Sequence, residues 1–135
     1  GDRAFKDCTN IQYVTIPTTA IDLIPQDNLK VAVINGGTSI GGWAFYGCTG
    51  LTSIVICDSV TSIGSSAFYD CTGLTSIVIP DSVTSIGDYA FWGCTRLTDV
   101  YYTGSEAEWA EISINGSGND YLTDATIHYN YVPAE

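Results

Sequence analysis

LTSIVICDSVTSIGSSAFYDCTG, Leu51 to Gly73, is followed at once by a near copy of itself, LTSIVIPDSVTSIGDYAFWGCTR, Leu74 to Arg96. The offset is 23 residues: Ile63-Gly64 returns as Ile86-Gly87, Ala67-Phe68 as Ala90-Phe91, and Cys71 as Cys94. A repeat of this length decides the architecture before any single element does. The apolar positions that recur are Leu51, Ile54, Ile56, Val60, Ile63, Ala67, Phe68 and Cys71. One such coil orders more backbone than its few large side chains can stabilise, so no coil folds alone. Stacking covers both open faces of each coil, and the chain is expected to be a β-rich solenoid in which each repeat touches its neighbours.

A single domain is expected of 135 residues. It divides into a partial repeat (1–10), a short repeat (11–27), full repeats (28–50, 51–73 and 74–96), and a terminal repeat with a C-terminal cap (97–135). In the short repeat Ile11, Val14, Ile16 and Pro17 match Leu74, Ile77, Ile79 and Pro80, but the AFxxC segment is missing. Ala20, Ile21, Leu23 and Ile24 are expected to refill part of that space, with a kink or narrowing there. Counted at the fixed period, Val31, Val33, Ile40, Ala44, Phe45 and Cys48 take the positions of Ile77, Ile79, Ile86, Ala90, Phe91 and Cys94. Gly1 to Cys8 aligns with Gly87 to Cys94, as expected of a piece of a longer protein whose targeting signal lies upstream.

Within each coil, LTSIVI is rich in β-branched residues and alternates, which reads as a strand; VTSI reads as a second, shorter one. Pro80 and Asp81 make the corner between them, with Cys57 at the same place one coil earlier, and Gly64 and Gly87 mark the next corner. SSAFYDC is too short for a stable helix, so a single α or 3₁₀ turn is expected to drop Ala67 and Phe68 inward. Strands of successive coils should pair in parallel, about 4.8 Å apart. After Leu97 a last strand ends at Tyr101-Tyr102, and SEAEWAEI (105–112) follows as a helix, with Ser105 and Glu108 at capping-box spacing. NGSGND (115–120) reads as a loop and ATIHYNYV as a final strand, a cap for the last apolar face.

The unit LxxIxIPxSVxxIGxxAFxxC, seen here as LTSIVIPDSVTSIGDYAFWGC, resembles the BspA-like, Treponema-type leucine-rich repeat, and LTDVYYTGSEAEWAEISI…IHYNY resembles a terminal segment of such proteins from gut Firmicutes. The likeness runs from Asp2 to Tyr131, departing at the short coil and at Cys57, which replaces proline. It implies a curved, right-handed leucine-rich repeat solenoid on a secreted or cell-surface bacterial protein, of a kind linked to adhesion. It carries over no catalytic residue.

The residues agree in offering little chemistry. Cys8, Cys48, Cys71 and Cys94 all follow AFxx and form an inward ladder, whose in-register Cβ vectors run parallel rather than converging as a disulfide requires. With His128 the sole histidine, zinc is not expected. Cys57, at a corner, is the candidate reactive thiol. Glu106, Glu108 and Glu111 suit the start and solvent face of a helix better than acid/base work. The loop 115–120, with Asp124, has oxygens for a weak calcium site but not EF-hand spacing. No GxSxG elbow is present. No enzyme activity, cofactor or metal is expected.

Fifteen acidic against four basic side chains give a net charge of −11, which disfavours nucleic acid and anionic membrane surfaces as partners, and no apolar run is long enough to span a bilayer. Two outward surfaces are candidates for a partner. The outward strand positions Thr15, Ala32, Val55, Val78 and Tyr101 form an apolar stripe on the parallel sheet; strand propensity alone would also select valine there. Tyr46, Tyr69 and Trp92, with Trp43 and Tyr89 beside them, form an aromatic column that either anchors a protein or sugar partner or packs on itself to seal the back of the solenoid. The favoured reading is a non-enzymatic binding module that adheres to a host or neighbouring-cell surface protein. Its alternative is a structural spacer or accessory domain of a larger secreted enzyme. An uncapped first coil predicts end-to-end dimers.

Overall fold

The computed structural model describes residues 13–23 and 29–133. The partial repeat with Cys8, and Ile11 and Ile24 of the short coil, lie outside the described residues. Three kinds of segment alternate round each coil. The long strands β1 (Tyr13–Pro17), β2 (Val31–Gly36), β4 (Ser53–Ile56), β6 (Ser76–Ile79), β8 (Asp99–Tyr102) and β10 (Thr126–His128) pair in that order as one six-stranded parallel sheet. The short strands β3 (Ser39–Ile40), β5 (Ser62–Ile63), β7 (Ser85–Ile86) and β9 (Ser113–Ile114) make a second parallel sheet. The AFxxC segments form the third side.

The register explains the repeat. Ile54 lies beside Ile77 and Ile77 beside Val100, so each inward side chain stacks on its own kind in the next coil. Phe45, Phe68 and Phe91 stack nearly parallel at 5.3 and 5.1 Å, fully buried. The threonines of LTS and VTS also repeat for a reason. Thr75 Oγ1 donates to Thr52 O at 3.1 Å and Thr84 Oγ1 to Thr61 O at 3.2 Å, each adding a second bond to a carbonyl one coil back that already accepts the same threonine's N–H. Gly64 and Gly87 are needed for close approach: a Cβ there would sit 2.6 Å from Gly42 N and 2.7 Å from Ser65 N.

The AFxxC side is not a helical turn of the ordinary kind. Its i→i+3 bonds are those of a 3₁₀ turn, as in Tyr46 N–H to Trp43 O (3.1 Å) and Cys48 N–H to Phe45 O (3.2 Å). The intervening N–H groups point along the stack instead: Trp43, Phe45 and Gly47 donate to the carbonyls of Ser65, Ala67 and Tyr69 at 3.1, 2.7 and 2.8 Å. Left-handed residues make this alternation possible, with φ of 62° at Trp43, 60° at Ser66 and 57° at Tyr89. Turn and inter-coil ladder are therefore built into one segment.

In the coil at 28–50 the structure corrects the register. Ala32 pairs with Ile54 and Val33 with Val55, so Ala32 and Ile34 point inward, fully buried, while Val31 and Val33 are half-exposed. The corner from Ile34 to Ile40 is one residue shorter than that from Ile56 to Ile63, having no counterpart of Val60, and counting at a fixed period displaces everything before it by one. Gly37 makes the tight corner at φ 91°. In the short coil a 3₁₀ helix (Thr18–Leu23) buries Ile21, in keeping with the expected refilling.

The cap begins as expected. Helix α1 (Glu106–Glu111) has both bonds of the capping box: Glu108 N–H donates to Ser105 Oγ (3.2 Å) and Ser105 N–H to Glu108 Oε1 (3.0 Å). A second short helix, α2 (Asp120–Thr123), follows the loop and buries Leu122. Between them Asn119 ends the inter-coil ladder. Its side-chain Oδ1 accepts from Phe91 N–H at 3.2 Å, and its Nδ2 donates to Gly87 O at 3.0 Å and Asn115 O at 2.8 Å, so one buried amide takes the place of the missing next peptide. β10 is shorter than the expected final strand. Past His128 the chain turns back at Asn130 (φ 57°), and Asn130 and Tyr131 donate to Gly104 O and Tyr102 O at 2.8 and 2.9 Å.

Candidate interaction surfaces

Alternation in the long strands places Thr15, Val33, Val55, Val78, Tyr101 and His128 in one outward row, by direct register across the six-stranded sheet. Val33, not Ala32, is the member from β2. His128 is a member the sequence reading missed, and its position opposite Tyr101 follows from β10 pairing parallel to β8. The row is not an open apolar band. His128 stacks on Tyr101 at 4.6 Å, the returning Tyr131 packs on the same ring at 4.9 Å, and Pro133 lines a groove with Val55, Cys57 and Pro80. Val78, between Val55 and Tyr101, is left 8% exposed. The returning tail thus covers the Tyr101 end of the row, while Thr15 is exposed and Val33 and Val55 are half-exposed.

Asp99, flanking the row, holds this covering in place. Its Oδ1 lies 2.8 Å from His128 Nε2, and the Thr98 hydroxyl donates to its Oδ2 at 2.8 Å. These hydrogen bonds, first His128 and then Thr98, hold the Asp99 carboxyl below its usual range.

The aromatic column is built differently. Trp43 (56% exposed), Tyr46 (52%), Trp92 (44%) and Tyr89 (43%) stand out from the turn side, with Tyr69 half-buried between them. Contacts are edge-on or tilted: Trp43–Tyr46 at 5.2 Å, Trp43–Tyr69 at 5.5 Å, Tyr46–Tyr69 at 5.7 Å, Tyr69–Trp92 at 6.5 Å and Tyr89–Trp92 at 5.8 Å. Each ring thus supports its neighbour, and all but Tyr69 keep roughly half their surface in solvent, so self-packing and exposure coexist. Trp43 and Tyr89 stand outward from a left-handed backbone (φ 62° and 57°), whereas Ser66, left-handed at the same place in the coil between, is buried. A bulky aromatic in that conformation is costly, by about 1–2 kcal/mol. At the cap end the column runs into a groove of about 570 Å³ between Trp92 and Tyr121, with Asp120 and Asp124 at its rim.

Among the described residues Cys48, Cys71 and Cys94 form the expected ladder as thiols rather than disulfides. Cys71 Sγ donates to Phe45 O and Cys94 Sγ to Phe68 O, both at 3.1 Å. Burial pushes the Cys94 thiol up to about 12, and the Cys48 contact together with burial pushes Cys71 upward too. Cys57 is half-buried at its corner; the Ser59 hydroxyl donates to Gly37 O at 2.6 Å, leaving the Cys57 thiol to donate to Ser59 Oγ at 3.1 Å. In the candidate calcium loop, Asn115 Oδ1 accepts from Ser117 N–H and Asn119 is committed to the ladder. Among the described residues no helix is long and apolar enough to cross a membrane.

The coil geometry is matched by known structures. A leucine rich cell surface protein from Faecalibacterium prausnitzii A2-165 is 31% identical over 82% of this chain, with a TM-score of 0.67. A leucine-rich repeat protein from Bacteroides ovatus (24% identical over 96%, TM-score 0.56) and one from T. pallidum (24% over 67%, TM-score 0.53) share the fold. The chain spans 31%, 39% and 46% of those three proteins, respectively. No curated protein is significantly similar to it. The model of the BspA type leucine rich repeat region, in six copies, matches residues 1–27 and 25–128. With that match over nearly its whole length, the chain belongs to the BspA-type leucine-rich repeat family.

Proposed function

We propose that the chain is a non-enzymatic protein-binding module of a bacterial cell-surface protein, adhering to a host or neighbouring-cell protein through its aromatic turn face. The observation that carries this is the pair Trp43 and Tyr89, held outward and about half exposed in a backbone conformation that favours glycine. A spacer gains nothing from large aromatics kept in solvent at that cost, whereas exposed Trp and Tyr are the side chains that dominate binding energy at protein interfaces. The sheet face supports the same choice by contrast, since the tyrosine of its outward row, Tyr101, lies under the tail. The cell-surface location of the Faecalibacterium neighbour supports the same setting for this chain.

The test is retention of partners from extracellular-matrix and mucosal extracts by wild type and by Trp43→Ala/Trp92→Ala, both shown folded by circular dichroism. Wild type should retain a protein that the double variant loses. Equal retention by both would reject the turn face, and no retention by either would favour the spacer of a larger secreted protein.

A further inference from the structure

The groove where the aromatic column meets the cap has walls of two kinds. Trp92 (44% exposed) and Tyr121 (41%) present ring surface from opposite elements, one from the turn side and one from α2. Gly93 and Gly118, both left-handed at φ 79° and 75°, contribute no side chain to the floor. Asp120 and Asp124 are exposed at the two ends of α2, and among the described residues neither is ion-paired. Among the described residues no lysine or arginine lines the groove. Exposed ring faces beside unpaired carboxylates suit a cation that carries an apolar or planar body. A guanidinium can lie flat on an indole while its N–H groups donate to carboxylates, and an ammonium can do both less directionally. The net charge of −11 favours the approach of a basic partner over an acidic one.

We propose that this groove receives an arginine or lysine side chain from a basic segment of the protein partner, an inference that rests on the turn face being the binding surface. Trp92 and Tyr121 supply the ring faces, and Asp120 and Asp124 the counter-charge.

A labelled Gly-Arg repeat peptide and its Gly-Gln counterpart, read by fluorescence anisotropy at about 50 and about 300 mM salt, test it. The Arg peptide should bind the wild-type chain, weaken with salt, and lose about tenfold in affinity on Asp120→Asn/Asp124→Asn and on Trp92→Ala. Asp58→Asn/Asp81→Asn, with the same change in net charge at the first corner, should cost less than about twofold. Equal losses from the two Asp pairs would show bulk charge attraction and overturn the proposal. So would equal binding of the Gln peptide, or competition by a neutral oligosaccharide that binds independently of salt, which would make the groove a sugar site. If the peptide fails while Trp43→Ala/Trp92→Ala still loses its partner from extract, the turn-face reading survives and the basic-segment inference falls.

Discussion

The sheet face and the turn face share one 23-residue period, yet the first is covered at its cap end and the second is open along its length. On the sheet, each long strand turns alternate side chains outward, and in that row Tyr101 is stacked by its neighbour His128 and by the returning Tyr131. On the turn side, rings from both left-handed and ordinary positions stand away from the core, and neighbouring coils brace them without covering them. Repetition sets where side chains recur. Backbone conformation and the course of the terminus decide whether they remain available.

That contrast can be broken most sharply by comparing a ring that packs inward with one that packs outward. Phe68→Ala removes the middle ring of the buried stack and should cost about 3–5 kcal/mol in denaturant unfolding. Trp43→Gly should change stability by less than about 1 kcal/mol, because relief of left-handed strain offsets the lost ring contacts. A large cost for Trp43→Gly would mean the column is structural. At the cap, Asn119→Ala leaves Phe91 N–H without its acceptor and removes the amide's donors to Gly87 O and Asn115 O, and should cost about 2–3 kcal/mol. Asn119→Asp, which keeps the acceptor for Phe91 and loses the donors, should fall between.

The thiol ladder gives a pH signature. A buried thiol whose folded pKa is raised contributes stability that is intact below the unfolded value, about 8.5, and lost as pH rises toward the folded one. For Cys94 that window extends to about 12, so unfolding should become easier by about 1.4 kcal/mol per pH unit within it. Cys94→Ala should reduce the slope, with Cys71, raised by its Cys48 contact and burial, keeping the remainder. The smallest effect is expected at Asp99, whose depressed carboxyl stabilises the native chain above about pH 3.9 and ceases to as pH falls through its folded value. Asp99→Asn should speed amide exchange at Thr126 to His128 and loosen the covering of Val78, with little change in global unfolding.

Much of this was legible in the sequence. The parallel sheets, the glycine corner and the capping box at Ser105 all follow from residues whose local preference agrees with the repeat. The register of β2 did not, because a residue is missing from the corner after Ile34; the signal was present in Leu29-Lys30-Val31-Ala32-Val33-Ile34, which reads against LTSIVI without a gap. The left-handed turns were hidden because Trp43, Ser66 and Tyr89 are poor choices for that conformation, so propensity pointed elsewhere. Asn119 carried no pattern at all, since its role depends on the unpaired peptide edge it faces. The tail's return over the sheet likewise depends on Asn130 turning where the alternation of ATIHYNYV predicts continuation.

The most direct measurement is the affinity of one captured partner for two folded variants, one on each face. Trp92→Ala should weaken binding at least about tenfold while Val55→Glu stays within about twofold of wild type. The opposite order, with Val55→Glu abolishing binding and Trp92→Ala leaving it intact, would contradict the assignment of the turn face as the surface this molecule uses.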